Sequence, residues 1–405
     1  MRKSGLFHIY TAPITNYYGF IIIYLYMEFS TSTGKEHFMH LVCSKNNLLK
    51  SVNISLRAVP SRTTMSILEC ILIDASSNDI KFTTNDMELG IETIVEGTIL
   101  EKGIVAIDAK IFSDIIRKLP DNDVTIQTDD KLNVTISCEK ALFTIPGKRG
   151  DDFSYLPVLE RNEYITISQF ALKEIIRQTI FSIATNENNK LMTGELIEIR
   201  NGELKIVSLD GHRISIRKLL LKEDTVSKKV IVPGKTLIEI SKILSGEMED
   251  MVNIFFTENH IIFEFDQTIV VSRLIEGEYF KIDQMLSNDY ETKISIRKQE
   301  FLNCIDRATL LVKEGDKKPI VINIEDNVLE LKINTPMGSM DEKIDIEKEG
   351  RDIMIGFNPK FLIDALKVID DETIDIYLVN AKAPCVIRNE AYLYLILPVN
   401  FNSAR

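Results

Sequence analysis

Ile107-Asp108-Ala109-Lys110-Ile111-Phe112, Val232-Pro233-Gly234-Lys235-Thr236-Leu237 and Phe357-Asn358-Pro359-Lys360-Phe361-Leu362 follow one another at intervals of 125 residues. After each lysine the stripe positions fall at i, i+3, i+4 and i+7: Phe112, Ile115, Ile116, Leu119; Leu237, Ile240, Ser241, Leu244; Leu362, Ala365, Leu366, Ile369. That spacing buries one face of an α-helix. A period so much longer than a helix means that a whole folding unit is used three times. Each of these helices follows a β-like run and precedes alternating segments, such as Val124-Thr125-Ile126-Gln127, Val252-Asn253-Ile254-Phe255-Phe256 and Ile374-Asp375-Ile376-Tyr377-Leu378. A second helix opens each unit, at 45–59, 168–184 and 297–312, each after a strand of the kind Tyr164-Ile165-Thr166-Ile167. The expected fold class is therefore α+β. Three tandem domains, at 39–159, 160–290 and 291–405, each pack two helices on antiparallel sheets of roughly eight short strands.

With 405 residues, 45% apolar and 27% charged, the chain is long enough for several cores and unlike disordered, collagenous or coiled-coil sequences. Its net charge of -12 excludes nucleic-acid binding through bulk positive charge, so any such contact has to come from local patterning. Cys43, Cys70, Cys138, Cys304 and Cys385 are scattered without a CxxC pair, and the five histidines form no HExxH. No metal, cofactor or disulfide framework is expected, and a reducing cytoplasm fits best. The apolar run at 17–27 is well short of the ~20 residues that cross a bilayer as a helix, and no A-x-A cleavage pattern follows it. Residues 1–38 are expected to be an extension outside the fold, with Met39 as the natural start; mass spectrometry of the natural N-terminus checks this.

Charges seven apart share a helix face. Lys50 with Arg57, Lys110 with Arg117, Lys235 with Lys242 and Lys360 with Lys367 are such pairs, and Lys173 with Arg177 adds one at i+4. In the second helix of each unit the pair lies about 180° from the buried stripe and faces outward. The six expected helices carry a net +8, leaving -20 for everything else. Solvated helix faces are commonly charged, which accounts for one such helix. Recurrence at one angular position over several helices argues for a shared surface facing a polyanion. Helices laid side by side would meet phosphates without inserting to read bases, so binding would be sequence-independent and salt-sensitive. The helix at 297–312 departs from the pattern, since Lys298 and Arg307 lie on opposite faces.

Further markers are Arg62-Thr63-Thr64-Met65-Ser66-Ile67-Leu68, Leu209-Asp210-Gly211-His212-Arg213, Ile355-Gly356-Phe357-Asn358, Asp364-Ala365-Leu366 and Leu395-Ile396-Leu397-Pro398-Val399. In this order and spacing the chain from about Met39 to Val399 resembles the bacterial DNA polymerase III beta subunit family, the sliding clamps. The resemblance implies a head-to-tail homodimer closed into a ring, whose helices line a hole around duplex DNA. It implies a non-catalytic processivity factor that tethers the replicative DNA polymerase catalytic subunit, is handled by a clamp loader and has no membrane partner. Arg62 matches a DNA-contacting position, and Lys50, Arg57, Lys110, Arg117, Lys173, Arg177, Lys235, Lys242, Lys360 and Lys367 would line the hole. A cleft for a short partner peptide carrying Gln and large apolar residues carries over to Met192, Leu209, Gly211, His212, Arg213, Ile214, Phe280, Met285, Asn358, Phe361, Pro384, Leu395, Ile396, Leu397, Pro398 and Val399. Phe143 and Ile145 would meet Leu310 and Leu311 across the subunit interface; read alone, these four are ordinary core residues. Departures are Leu209 where a small polar residue is common, Phe280 and Ser287 where prolines are usual, and a short extension from Asn400 in place of a basic end.

Gly234-Lys235-Thr236 has the setting of a phosphate-binding loop, but Lys229 stands where its first glycine is needed, and the repeat supplies the lysine in all three units. Asp210 and His212 could be read as an acid/base pair, although a tight turn is the commoner use of Asp-Gly. No G-x-S-x-G elbow is present. A repeat-built scaffold that binds proteins without encircling DNA is the competing reading; retention on circular but not linear DNA separates the two.

Overall fold

The computed structural model describes residues 38–186, 189–222, 226–286, 288–313 and 318–401. The leading segment 1–37, Ser287 and residues 402–405 lie outside the described residues. Six α-helices stand where the periodicity places them: α1 (Lys45–Ser55), α2 (Ala109–Lys118), α3 (Gln169–Thr179), α4 (Gly234–Ile243), α5 (Lys298–Thr309) and α6 (Pro359–Val368). The expected helix 45–59 is α1 followed by a 3-10 turn at Leu56–Ala58, and 168–184 likewise ends in a 3-10 turn at Ile180–Ser182. Ser44, Asp108, Ser168 and Asn358 cap their helices by accepting from backbone N–H groups of the first turn, and Pro359 supplies a preset φ at the start of α6.

Within each unit the first residue of the first helix seals the far end of the second. Lys45 Nζ donates to the Leu119 carbonyl at 2.6 Å and Lys298 Nζ to the Ile369 carbonyl at 2.7 Å, while Gln169 Oε1 accepts from the Ser245 N–H at 2.9 Å. These groups satisfy or replace capping bonds that a helix C-terminus leaves open. The apolar stripes point inward: Phe112 and Ile116, Leu237 and Ile240, and Leu362 and Leu366 each lie buried in their own unit's cluster. Burying a side chain of this size contributes about 1.5 to 3 kcal/mol.

The described residues form 26 strands in antiparallel sheets of thirteen, nine and four. The two large sheets cross domain boundaries. Thr268–Arg273 pairs with Leu89–Val95, with Val270 opposite Ile91, and Tyr392–Ile396 pairs with Arg213–Leu220, with Tyr394 opposite Ser215. Adding 124 to both numbers of the first pair gives the second, so one joint is built twice. Its turns repeat as well. The Arg273 N–H donates to the Glu88 carbonyl as the Leu397 N–H does to His212, both at 2.9 Å. Among the described residues the outer edge of Gly338–Asp345, and the edge of Ala141–Pro146 that faces away from its partner Asn133–Cys138, have no strand partner.

Candidate functional site

Lys50, Arg62, Lys110, Arg117, Lys235, Lys242, Lys360 and Lys367 are exposed, whereas Arg57, Lys173 and Arg177 are half-buried. Lys50, Lys110 and Lys367 have no ion-pair partner among the described residues, and Arg117 donates to the Asn53 side chain at 3.1 Å. The half-buried cations join elements. Arg57 reaches Glu239 of α4 at 3.7 Å, Lys173 Nζ donates to the Leu244 carbonyl at 3.3 Å, and Arg177 is held by Glu174 at 2.6 Å and by Asp370 at 3.2 Å. Those two carboxylates raise the pKa of the Arg177 guanidinium. Lys242 pairs with Glu239 at 2.7 Å, Lys360 with Asp364 at 3.0 Å, and Lys235 with Asp86 of the preceding domain. The deviation at α5 has a physical cause: Lys298 caps α6 and Arg307 pairs with Glu342, so both serve packing.

The second interdomain joint gathers most of the cleft residues. Met192, Leu209, Ile214, Phe280 and Leu395 share one apolar cluster with Tyr279 and Ile282. Leu209, Ile214 and Leu395 form a closed floor, while Ile396, next on the strand, is buried on the opposite face in the third domain's core. Gly211, His212, Met285 and Leu397 are exposed around the floor, with Phe280, Pro384, Pro398 and Val399 half-buried. The His212 ring stacks on Phe361 with centroids 5.8 Å apart. Arg213 is almost wholly buried between Phe181 and Phe361, at 5.2 and 4.7 Å from their centroids. Its guanidinium pairs with Asp210 at 3.0 Å and with Asp364 at 2.7 Å, and donates to the Phe181 carbonyl. Asn358 accepts from the Lys360 N–H at the start of α6, beside Phe361. The partners of Arg213 were not legible in the sequence, because Asp364 and Phe181 lie far from it along the chain. Asp210 is a turn residue: its Oδ1 accepts from the His212 and Arg213 N–H groups, and Gly211 has φ +85°. No acid/base pair with His212 results.

The first joint has the same backbone but a different lining. Asn85, Glu88, Glu92 and Thr236 stand where the second has Leu209, His212, Ile216 and Phe361. The Leu156 side chain of the segment between the first two domains lies directly over Gly90, the counterpart of Ile214, and would have to shift to admit a side chain there. The second joint is lined by the apolar cluster of Leu209, Ile214, Phe280 and Leu395, whereas at the first the linker's own Leu156 packs with Phe255, Ile262 and Val271. Of the four residues expected at a subunit interface, Phe143 is 38% and Leu310 76% exposed, while Ile145 and Leu311 are half-buried. Neighbouring Leu142 is 68% exposed, an apolar position the sequence reading passed over.

Family models match three consecutive segments: the DNA polymerase III beta subunit N-terminal domain at 39–157, its central domain at 166–281 and its C-terminal domain at 283–400. The chain belongs to the DNA polymerase III beta subunit family. A beta sliding clamp of Staphylococcus aureus is 34% identical over 374 residues, covering 89% of this chain and 99% of that protein. The crystal structure of a DNA polymerase III beta subunit from Eubacterium rectale is 68% identical, with a TM-score of 0.88 over 90% of this chain and 100% of that one. The sliding clamp of Bacillus subtilis is 34% identical, with a TM-score of 0.87 over the same shares. In this beta subunit family member Gly234-Lys235-Thr236 is part of a domain joint: Gly234 is pressed against Ile183, Lys235 pairs with Asp86, and the Thr236 hydroxyl meets that of Ser272 at 2.6 Å. The five cysteines are buried and free, with burial pushing Cys43, Cys304 and Cys385 up to about 12. Among the described residues no helix is long and apolar enough to cross a membrane.

Proposed function

We propose that two chains join head to tail into a ring that encircles duplex DNA, slides along it, and tethers a replicative polymerase without catalysing a reaction itself. One observation carries this reading: a joint made twice within the chain has its two halves left over at opposite ends. Hairpin partners align those halves. Phe265 opposite Thr268 corresponds to Cys138 opposite Ala141, and Leu209 opposite Ile214 to Asn334 opposite Ser339. Applied to the bare edges, the joint puts Ala141 opposite Glu342, Phe143 opposite Met340 and Ile145 opposite Gly338 of a second copy. An unpaired edge beside exposed Leu142, Phe143 and Leu310 is an apolar face that association would cover. Lys50, Lys110, Arg117 and Lys367 would then meet phosphates from the ring's inner lining, with Arg62 on the loop after α1. Partner peptides would seat on the second joint through apolar anchors flanked by His212 and Arg213.

Protein loaded on nicked circular DNA by a clamp loader is expected to stay through gel filtration at moderate salt and to leave once the circle is cut. Equal retention on circular and linear DNA overturns the encirclement and favours a scaffold without it.

A further inference from the structure

Each unit ends with the same device. The chain leaving its last strand runs along the outer edge of the strand that precedes the second helix, then folds an aromatic ring back onto it. In the first unit Val105 pairs with Arg149, and Phe153 packs with Ala106, Cys70 and Leu72. In the second the Ile275 N–H donates to the Ile231 carbonyl at 2.9 Å, and Tyr279 packs with Ile231 and Leu196. In the third the Val399 N–H donates to the Gly356 carbonyl at 2.9 Å, and Phe401 lies against Gly356. Ala106, Ile231 and Gly356 are counterparts spaced by 125 residues.

The third copy differs in what it holds. Leu397–Val399 spans two domains, bonded to His212 of the central one through the Leu397 N–H and to Gly356 of the last through the Val399 N–H. These residues are also a wall of the proposed peptide cleft, with Leu397 37% exposed. Among the described residues, Phe401 is the last group that fixes this strap. The absence of a side chain on Gly356 is what admits the ring: a methyl there would lie 2.5 Å from a Phe401 ring carbon and 2.9 Å from the Val399 carbonyl oxygen.

We infer that Phe401 is a positioning residue for partner recognition, a clasp on Gly356 that holds the Leu397–Val399 strap in the form a peptide meets. This rests on the cleft reading above. A wall fixed before binding spares the peptide the ordering of that segment, so loss of the ring weakens affinity without removing a contact.

The test uses the full-length protein and a fluorescent peptide carrying Gln and two large apolar residues, with anisotropy as readout. Melting temperature and exchange of the Leu397 and Val399 amides are followed in parallel. Phe401→Ala is expected to weaken binding roughly tenfold, from lost pre-organisation, and to speed exchange at Val399 while retention on circular DNA is unchanged. Gly356→Ala is expected to act the same way by displacing the ring. Phe401→Tyr is expected to restore affinity, since tyrosine fills this role in the second unit. Wild-type affinity in Phe401→Ala, or a loss that Phe401→Tyr does not restore, overturns the inference alone. Wild-type protein that binds no such peptide overturns the cleft reading and the inference with it.

Discussion

Glu195 is fully buried on the strand Gly194–Arg200, and neither carboxyl oxygen has a hydrogen-bond partner. Ile71 and Ile320 occupy its place in the other units, each, like Glu195 with Val232, facing the strand before the second helix. The neighbouring Thr179 hydroxyl donates to the Ile175 carbonyl at 2.8 Å and leaves the acid without that donor. Burial raises its pKa from 4.5 to about 8. The native state therefore keeps a proton that the unfolded chain has already lost. This contribution to stability is fully present below pH ~4.5, declines as pH rises toward ~8 and then levels, over a total of a few kcal/mol. Glu195→Gln is expected to melt higher than wild type at pH 8, with the gap shrinking toward pH 5; a pH-independent gap would show that the carboxyl does not titrate in this window. Arg213 is the reverse case, a buried cation with two carboxylates and two aromatic faces. Lysine cannot reproduce that fork, so Arg213→Lys is expected to cost about 2 to 3 kcal/mol in denaturant unfolding and to weaken peptide binding.

The charge count over the six helices mixes cations with different work. Lys45 and Lys298 spend their ammonium groups on the carbonyl ends of α2 and α6. Lys45→Met with Lys298→Met is expected to lower stability by roughly 1 kcal/mol each and leave the salt dependence of DNA retention unchanged. Lys50, Lys110 and Lys367 carry no such bond, and their joint replacement by Glu is expected to shorten residence on circular DNA, more so at low salt, with the melting temperature held. Lys235 belongs to neither group alone. Its pair with Asp86 crosses the first joint, so a Glu there disturbs packing as well as charge.

For the assembled molecule the sharpest test is register. With Phe143→Cys and Met340→Cys in one chain, oxidation is expected to link two copies and give a covalent dimer on a denaturing gel. Partners moved one position along, Thr144→Cys with Met340→Cys, are expected to link poorly because they face opposite sides of the sheet. Equal yields would mean that the two edges do not form the joint that the chain twice makes internally. Leu310→Asp is expected to shift the species in sedimentation from two chains to one by placing a charge on the same face.

The repeat, the six helices, their buried stripes and the count of domains were legible in the sequence, because helix periodicity and a 125-residue interval are local or additive signals. The same holds for the exposure of Lys110 and Lys367, set by angular position on a helix. What only the folded chain decided is which charges are free. Arg57, Lys173 and Arg177 read like their neighbours in sequence, yet they are tied to Glu239, Leu244 and Asp370 across distances that no spacing rule encodes. The two interdomain joints are likewise tertiary facts. Hydrogen-bond register between strands far apart in sequence depends on how whole units dock, and from that docking came both the bare edges and the contrast between an apolar joint and one filled by Leu156.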